Sequence, residues 1–222
     1  MLRGDGPGTS GRPLCGDCCE SVVASADDVT ELYRQMRSFF RTCSLELPAA
    51  LPIQLVGSSA LDEAHSGSGH CGHTRHSLGL TMAERHVTRR MRNHVVIPGS
   101  EKVHTEVFAI LILNHLPKIL FQSVLAHELL HAFFRLNDFP TMSPQVEEGA
   151  CQLMSYLYLK APQSREDVPA NYRRHVEYYE TKIWQETSPV YGDGFRLAFA
   201  AYERYGLRRL ISHLKETGDF PL

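Results

Sequence analysis

The stretch ILFQSVLAHELLHAFFRL at 119–136, followed by EEG at 147–149, decides how this chain is read. Apolar residues occur on every side of 119–136, which predicts a helix running through a core rather than along a surface. His127 and His131 are four residues apart, so they share one face of that helix, one turn from each other. Two imidazole nitrogens so placed suit a single Zn²⁺. Glu128 can then reach a water on that ion as general base. Asn137 and Pro140 break the helix, and Ser143 and Pro144 start the next, as N-cap and first-turn residue. Glu148 lies early on this second helix, whose apolar stripe continues through Leu153, Tyr156 and Leu157. It is expected as the third ligand, with the fourth position left to water. The spacing points to zinc-dependent hydrolysis of peptide bonds. The simpler alternative is a buried helix whose histidines are satisfied by hydrogen bonds. Against it, several His and Glu side chains on one helical hairpin are costly to bury without a metal.

The rest of the composition narrows the class. The chain has 222 residues, 43% of them hydrophobic, and a formal charge of −2. That length suits one domain with a sizeable core, and the charge favours neither nucleic acid nor an anionic membrane as partner. The opening MLRGDGPGTSGRP has no apolar core, so no signal peptide is expected, and no apolar run is long enough for a membrane span. Residues 1–26 read as a disordered tail carrying a Cys knuckle, and 27–222 as the zinc metallopeptidase domain. The cysteines show no secreted disulfide framework, which favours a cytoplasmic or nuclear setting.

Outward from the motif, 27–43 reads as a helix with Leu32, Met36, Phe39 and Phe40 on one face. PIQLV at 52–56 reads as a short strand and 57–80, rich in Gly, Ser and His, as a loop. Residues 86–92 suit an edge strand, and VHTEVFAILIL at 103–113 is the strongest strand signal. Three further helices are expected at 169–187, 192–205 and 207–217, broken at Pro189 and Gly192–Gly194. No internal repeat is seen.

Other constellations carry weaker signals. Cys15 and Cys18 form half of a structural zinc site, so a second zinc is a candidate there, with Cys19 beside it. The loop offers His65, His70, Cys71, His73 and His76, which could take a second metal or complete the knuckle, or could be a solvated tract. Gln152 shares a face with Glu148 and could orient a ligand histidine. Glu147 competes with Glu148, which is preferred because Gly149 follows it and lets two helices approach near the metal. An oxyanion donor is also needed, for which Tyr156, His175, Tyr178, Tyr179 and Tyr191 are candidates, with Tyr191 favoured for its place in a loop.

LAHELLHAFFRLNDFPTMSPQVEEGACQ, SPVYGDGFR and YGLRRLISHLKETGDFP together resemble the peptidase domain of the plant DA-one family, and GRPLCGDCCES resembles the last zinc knuckle of that family's LIM region. The likeness runs from about Arg12 to Leu222. It implies a zinc peptidase with His127, His131 and Glu148 as ligands and Glu128 as base. It also implies protein substrates and partners that include ubiquitin or ubiquitinated proteins. The first LIM cysteine pairs and an acidic ubiquitin-binding helix are not found in residues 1–26. The fold class expected is α+β: a zincin-like domain of the HExxH-plus-Glu kind, with a small, mostly antiparallel sheet before a helical half and zinc in the cleft between them. The rival readings are a catalytically silent zinc-binding adaptor for ubiquitinated partners and a zinc hydrolase of small molecules. The retained Glu128 argues against the adaptor, since a structural site needs no base.

Overall fold

Hydrophobic runs of two different periods build two halves that meet at the motif helix. The computed structural model describes residues 16, 21–67, 78–89, 91–92, 95–96, 102–162 and 169–221. The first helix, α1 (Ala26–Thr42), starts at a capping box in which Ser25 and Asp28 satisfy each other's backbone N–H groups. It buries Leu32, Met36 and Phe40, spaced for one helical face.

The strongest strand signal becomes β6 (Lys102–Leu113). Ala109 to Leu113 are all buried, as a central strand covered on both faces requires. It lies between β2 (Ile53–Val56), which runs parallel to it, and β3 (Gly79–Thr88), which runs antiparallel with a bulge between Met82 and Ala83. The other described pairings are antiparallel. They join β1 (Val22–Val23) to β7 (Leu116–Pro117) and β4 (Met91–Arg92) to β5 (Val95–Val96). Among the described residues the fold is therefore α+β, with small and mostly antiparallel sheets.

Three expectations change. The described part of the 57–80 loop contains helix α2 (Ser58–Gly67). Its Gly, Ser and His content disguised it, but Leu61 is buried and Ala64, one turn on, packs against the core. The edge strand begins at Gly79, not 86, and runs as β3 up to Thr88, the bulge having interrupted the alternation that marks a strand. Residues 22 and 23, placed in the tail, belong to the fold: Val23 is buried and pairs with Leu116.

The helical half follows. α3 (Lys118–Leu136) is buried on nearly all sides and packs on both β6 and β3. α4 (Pro144–Lys160) starts where expected, with the Ser143 hydroxyl accepting from the Val146 N–H. α5 (Ala170–Gln185), α6 (Gly194–Tyr205) and α7 (Leu207–Thr217) complete the half. A π-helical turn at Pro189–Asp193 leads into α6. No helix among the described residues is long and apolar enough to cross a membrane.

Gly149 does allow a close helix approach, but to α6 rather than to α3. A Cβ on Gly149 would run into the carbonyl carbon and oxygen of Gly194. Backbone cannot swing away as a flexible side chain can. Gly149→Ala is therefore expected to destabilise the protein by about 1–3 kcal/mol. Thermal unfolding checks this, and an unchanged Tm would contradict the contact.

Candidate metal centre and catalytic cleft

The α3–α4 hairpin brings the motif residues together. His127 and His131 project from one face of α3, and Glu148 meets them from the first turns of α4. Glu148 Oε2 lies 2.9 Å from His127 Nε2 and 3.5 Å from His131 Nε2, and the two Nε2 atoms are 3.2 Å apart. Ligands at 2.0–2.1 Å around a tetrahedral ion stand about 3.3 Å from one another. The donor set therefore fits Zn²⁺ in both type and spacing.

Glu147 takes a different part. Its Oε1 lies 2.8 Å from His131 Nδ1, the ring nitrogen turned away from Glu148. Arg135 donates to the same oxygen at 2.6 Å. A carboxylate on the far nitrogen fixes both the orientation and the tautomer of a ligand histidine. Gln152, the residue considered for orienting a ligand histidine, lines the same cleft.

The charges are strongly coupled. Burial disfavours ionised Glu148, but the charge of His131 and hydrogen bonds from both histidines outweigh it and hold this carboxyl far below the ordinary range. Burial likewise opposes a charge on His131, yet Cys151 and the two carboxylates together raise its pKa well above the usual value. Cys151 itself was not foreseen as a member of the cluster. It is buried, and its Sγ and the ring nitrogens of His127 and His131 all lie within 4.8 Å of one another. Its spacing of three from Glu148, one helical turn, was the signal available in the sequence. Burial is the first cause that pushes its thiol up, to about 12.

Glu128 is buried beside β3. The Thr81 hydroxyl lies 2.8 Å from Glu128 Oε2 and 2.9 Å from the Glu128 carbonyl oxygen. Gly79 leaves the space that the carboxylate fills. The contacts of Gly79 and Thr81 with Glu128 are invisible in the sequence, because they join segments 47 or more residues apart. Among the described residues β6 is flanked on both sides, so the strand with an open edge beside the site is β3.

Among the tyrosine candidates, Tyr191 and Tyr179 line the cleft. The Tyr191 ring centroid is 6.5 Å from that of His127, and Tyr191 sits on the π-helical turn, a form frequent at functional sites. Burial first, and then the nearby Glu148 carboxylate, push its phenol pKa up. Tyr156 instead packs edge-on against Trp184 and Phe199, and Tyr178 is exposed beneath Lys182. Of the loop histidines, His65 lies in α2 and lines the cleft. Cys15, Cys18, Cys19, His70, Cys71, His73 and His76 fall outside the described residues. The whole cleft is open and has a volume of ≈ 1880 Å³.

Comparison with known proteins agrees with the likeness carried by the motifs. The DA1-like family, described as Protein DA1, matches residues 43–169 and 160–217. The chain is 34% identical to Protein DA1 of Arabidopsis thaliana over 244 residues, covering 96% of this chain and 46% of that protein. It is 34% identical to Protein DA1-related 2 of the same plant over 253 residues, covering 96% and 47%. It is 30% identical to the LIM domain-containing protein HDR3 of Oryza sativa subsp. japonica over 251 residues, covering 96% and 50%. The chain belongs to the DA1-like family. It spans about half the length of these curated relatives. No solved structure matches it.

Proposed function

We propose that this chain is a zinc-dependent endopeptidase that cleaves regulatory proteins, with ubiquitin or ubiquitinated proteins among its partners. One observation carries the reading. Glu148 Oε2 and the two Nε2 atoms converge at ligand spacing, while Glu128, one residue from a ligand histidine, is held at the cleft by Thr81. A structural site has no use for that second arrangement. Zinc bound by His127, His131 and Glu148 would supply Lewis acidity and an activated water. Glu128 takes the proton of the attacking water and returns it to the leaving amine. Tyr191, kept protonated, offers its hydroxyl to the oxygen on which charge develops. The open edge of β3 offers an extended substrate a strand to pair with.

The test is metal content together with cleavage of an unfolded protein and a ubiquitinated one, by wild type and by Glu128→Gln. One zinc per chain, with cleavage by wild type alone, supports the proposal. Bound zinc with no cleavage by wild type sinks it in favour of the adaptor.

Gly79 supplies a finer test. A Cβ there would stand 2.6 Å from Glu128 Oε1 and 2.8 Å from its Cγ. The carboxylate is the end of a flexible side chain, so it yields and the fold survives. Misplacing the base by about 1 Å is expected to lower kcat of Gly79→Ala about 10²-fold. Thermal stability should stay near wild type, and a fully active Gly79→Ala would show that Glu128 does not work from this position.

A further inference from the structure

β3 does not end at the cleft. Thr81, Ala83 and Arg85 line it, as does Thr105 of β6, which pairs with Arg85. Beyond them the two strands continue outward as a ribbon, Val87 opposite Val103 and Thr88 opposite Lys102. Side chains alternate across such a ribbon, so each of its faces has its own composition. The face continuous with the cleft presents Arg85 and Val87 on β3, with Val103 across from Val87, and Arg89, just past the end of the strand, is next in the same alternation. Val87 and Val103 are 48% and 41% exposed. The back face carries Glu84 opposite Glu106, with His86 opposite His104. The carboxylates of the ribbon base are thus segregated behind it, while the cleft side alternates basic and apolar groups. The stretch as a whole is basic, with Arg85, Arg89, Arg90, Arg92 and Lys102 against Glu101 alone between 85 and 104, in a chain of net charge −2.

We propose that this face of the β3–β6 ribbon is a docking surface for an acidic, partly apolar segment of the protein substrate, lying outside the residues that flank the scissile bond. The inference rests on the peptidase reading and names the substrate class for that same site. Continuity with the cleft is what selects a peptide occupant, since a chain laid along the open edge of β3 runs directly from Thr81 onto the ribbon. At about 3.3 Å per residue, Arg85 stands about 13 Å and Arg89 about 26 Å along the strand from Thr81. The acidic residues would therefore lie roughly four to eight positions from the cleaved bond.

The experiment compares two labelled extended peptides, one alternating Asp with Leu and the other Asn with Leu. Both are titrated by fluorescence anisotropy against zinc-loaded Glu128→Gln protein, with and without R85E/R89E. The acidic peptide is expected to bind about tenfold more tightly, a factor two partly exposed ion pairs can supply. That ratio should shrink towards one at about 0.5 M salt, and R85E/R89E should abolish or reverse it. Equal affinity for the two peptides, or a ratio indifferent to R85E/R89E, would overturn the proposal. So would tighter, arginine-dependent binding of a single-stranded oligonucleotide or an anionic vesicle, since the surface would then serve another class of partner. Cleavage of an unfolded protein by wild type is read in parallel. Its absence, with arginine-dependent peptide binding intact, removes the peptidase and leaves the docking surface; its presence with equal peptide binding does the reverse.

Discussion

Glu128→Gln is expected to keep its zinc and its thermal stability while losing about 10²–10⁴-fold in kcat for peptide hydrolysis, the range a positioned general base contributes. The separation of the two effects follows from geometry. Glu128 takes no part in the His127–His131–Glu148 convergence, so metal affinity should survive. Gln keeps an oxygen that can accept from Thr81, so the local hydrogen bond survives as well. What disappears is the capacity to take a proton. Metal analysis and steady-state kinetics on the same preparation read both halves. Wild-type turnover in Glu128→Gln would exclude Glu128 as the base, and loss of zinc would mean that it contributes to the metal site itself.

His131→Ala should fail in the opposite way, losing the metal and the stability together. His131 is buried and touches Glu147 through Nδ1 and Glu148 through Nε2. Removing it leaves two carboxylates partly uncompensated in the interior. Arg135 still holds Glu147 and His127 still faces Glu148, which places the cost near the low end for a broken buried pair, about 3 kcal/mol. For a domain of this size that is a fall in Tm of roughly 6–12 °C, measured on metal-free protein. With zinc present the gap between variant and wild type should widen, because only wild type gains the binding free energy. If the variant and wild type melted together in both states, the cluster would not be the coupled centre described above.

The motif helix, the turn after it and the capped start of α4 were legible because each is a local signal, from all-round hydrophobicity to Ser143 and Pro144. Placing Glu148 with two histidines needed only helical spacing and a short connection. Local reading failed where the signal was composition. The Gly/Ser/His stretch hid α2, whose one fully buried residue, Leu61, is a small apolar mark. The bulge at Met82/Ala83 interrupted the alternation that would have announced β3. The separate duties of Glu147 and Glu148 were beyond sequence as well, since neighbours on a helix point about 100° apart and only the packing of α3 on α4 decides which faces the histidines.

The sequence by itself determined that His127, His131 and Glu128 sit on one buried helix, that a glutamate pair follows on the next, and that the chain resembles the DA-one family. Each of those is a matter of chain-local periodicity or motif. Only the tertiary structure decided that Glu147 and Arg135 brace His131, that Cys151 joins the cluster, that Gly149 meets Gly194 and that the open strand edge beside the cleft is β3. These are contacts between segments distant in the chain, and their energies come from packing and burial rather than from any residue's own preference.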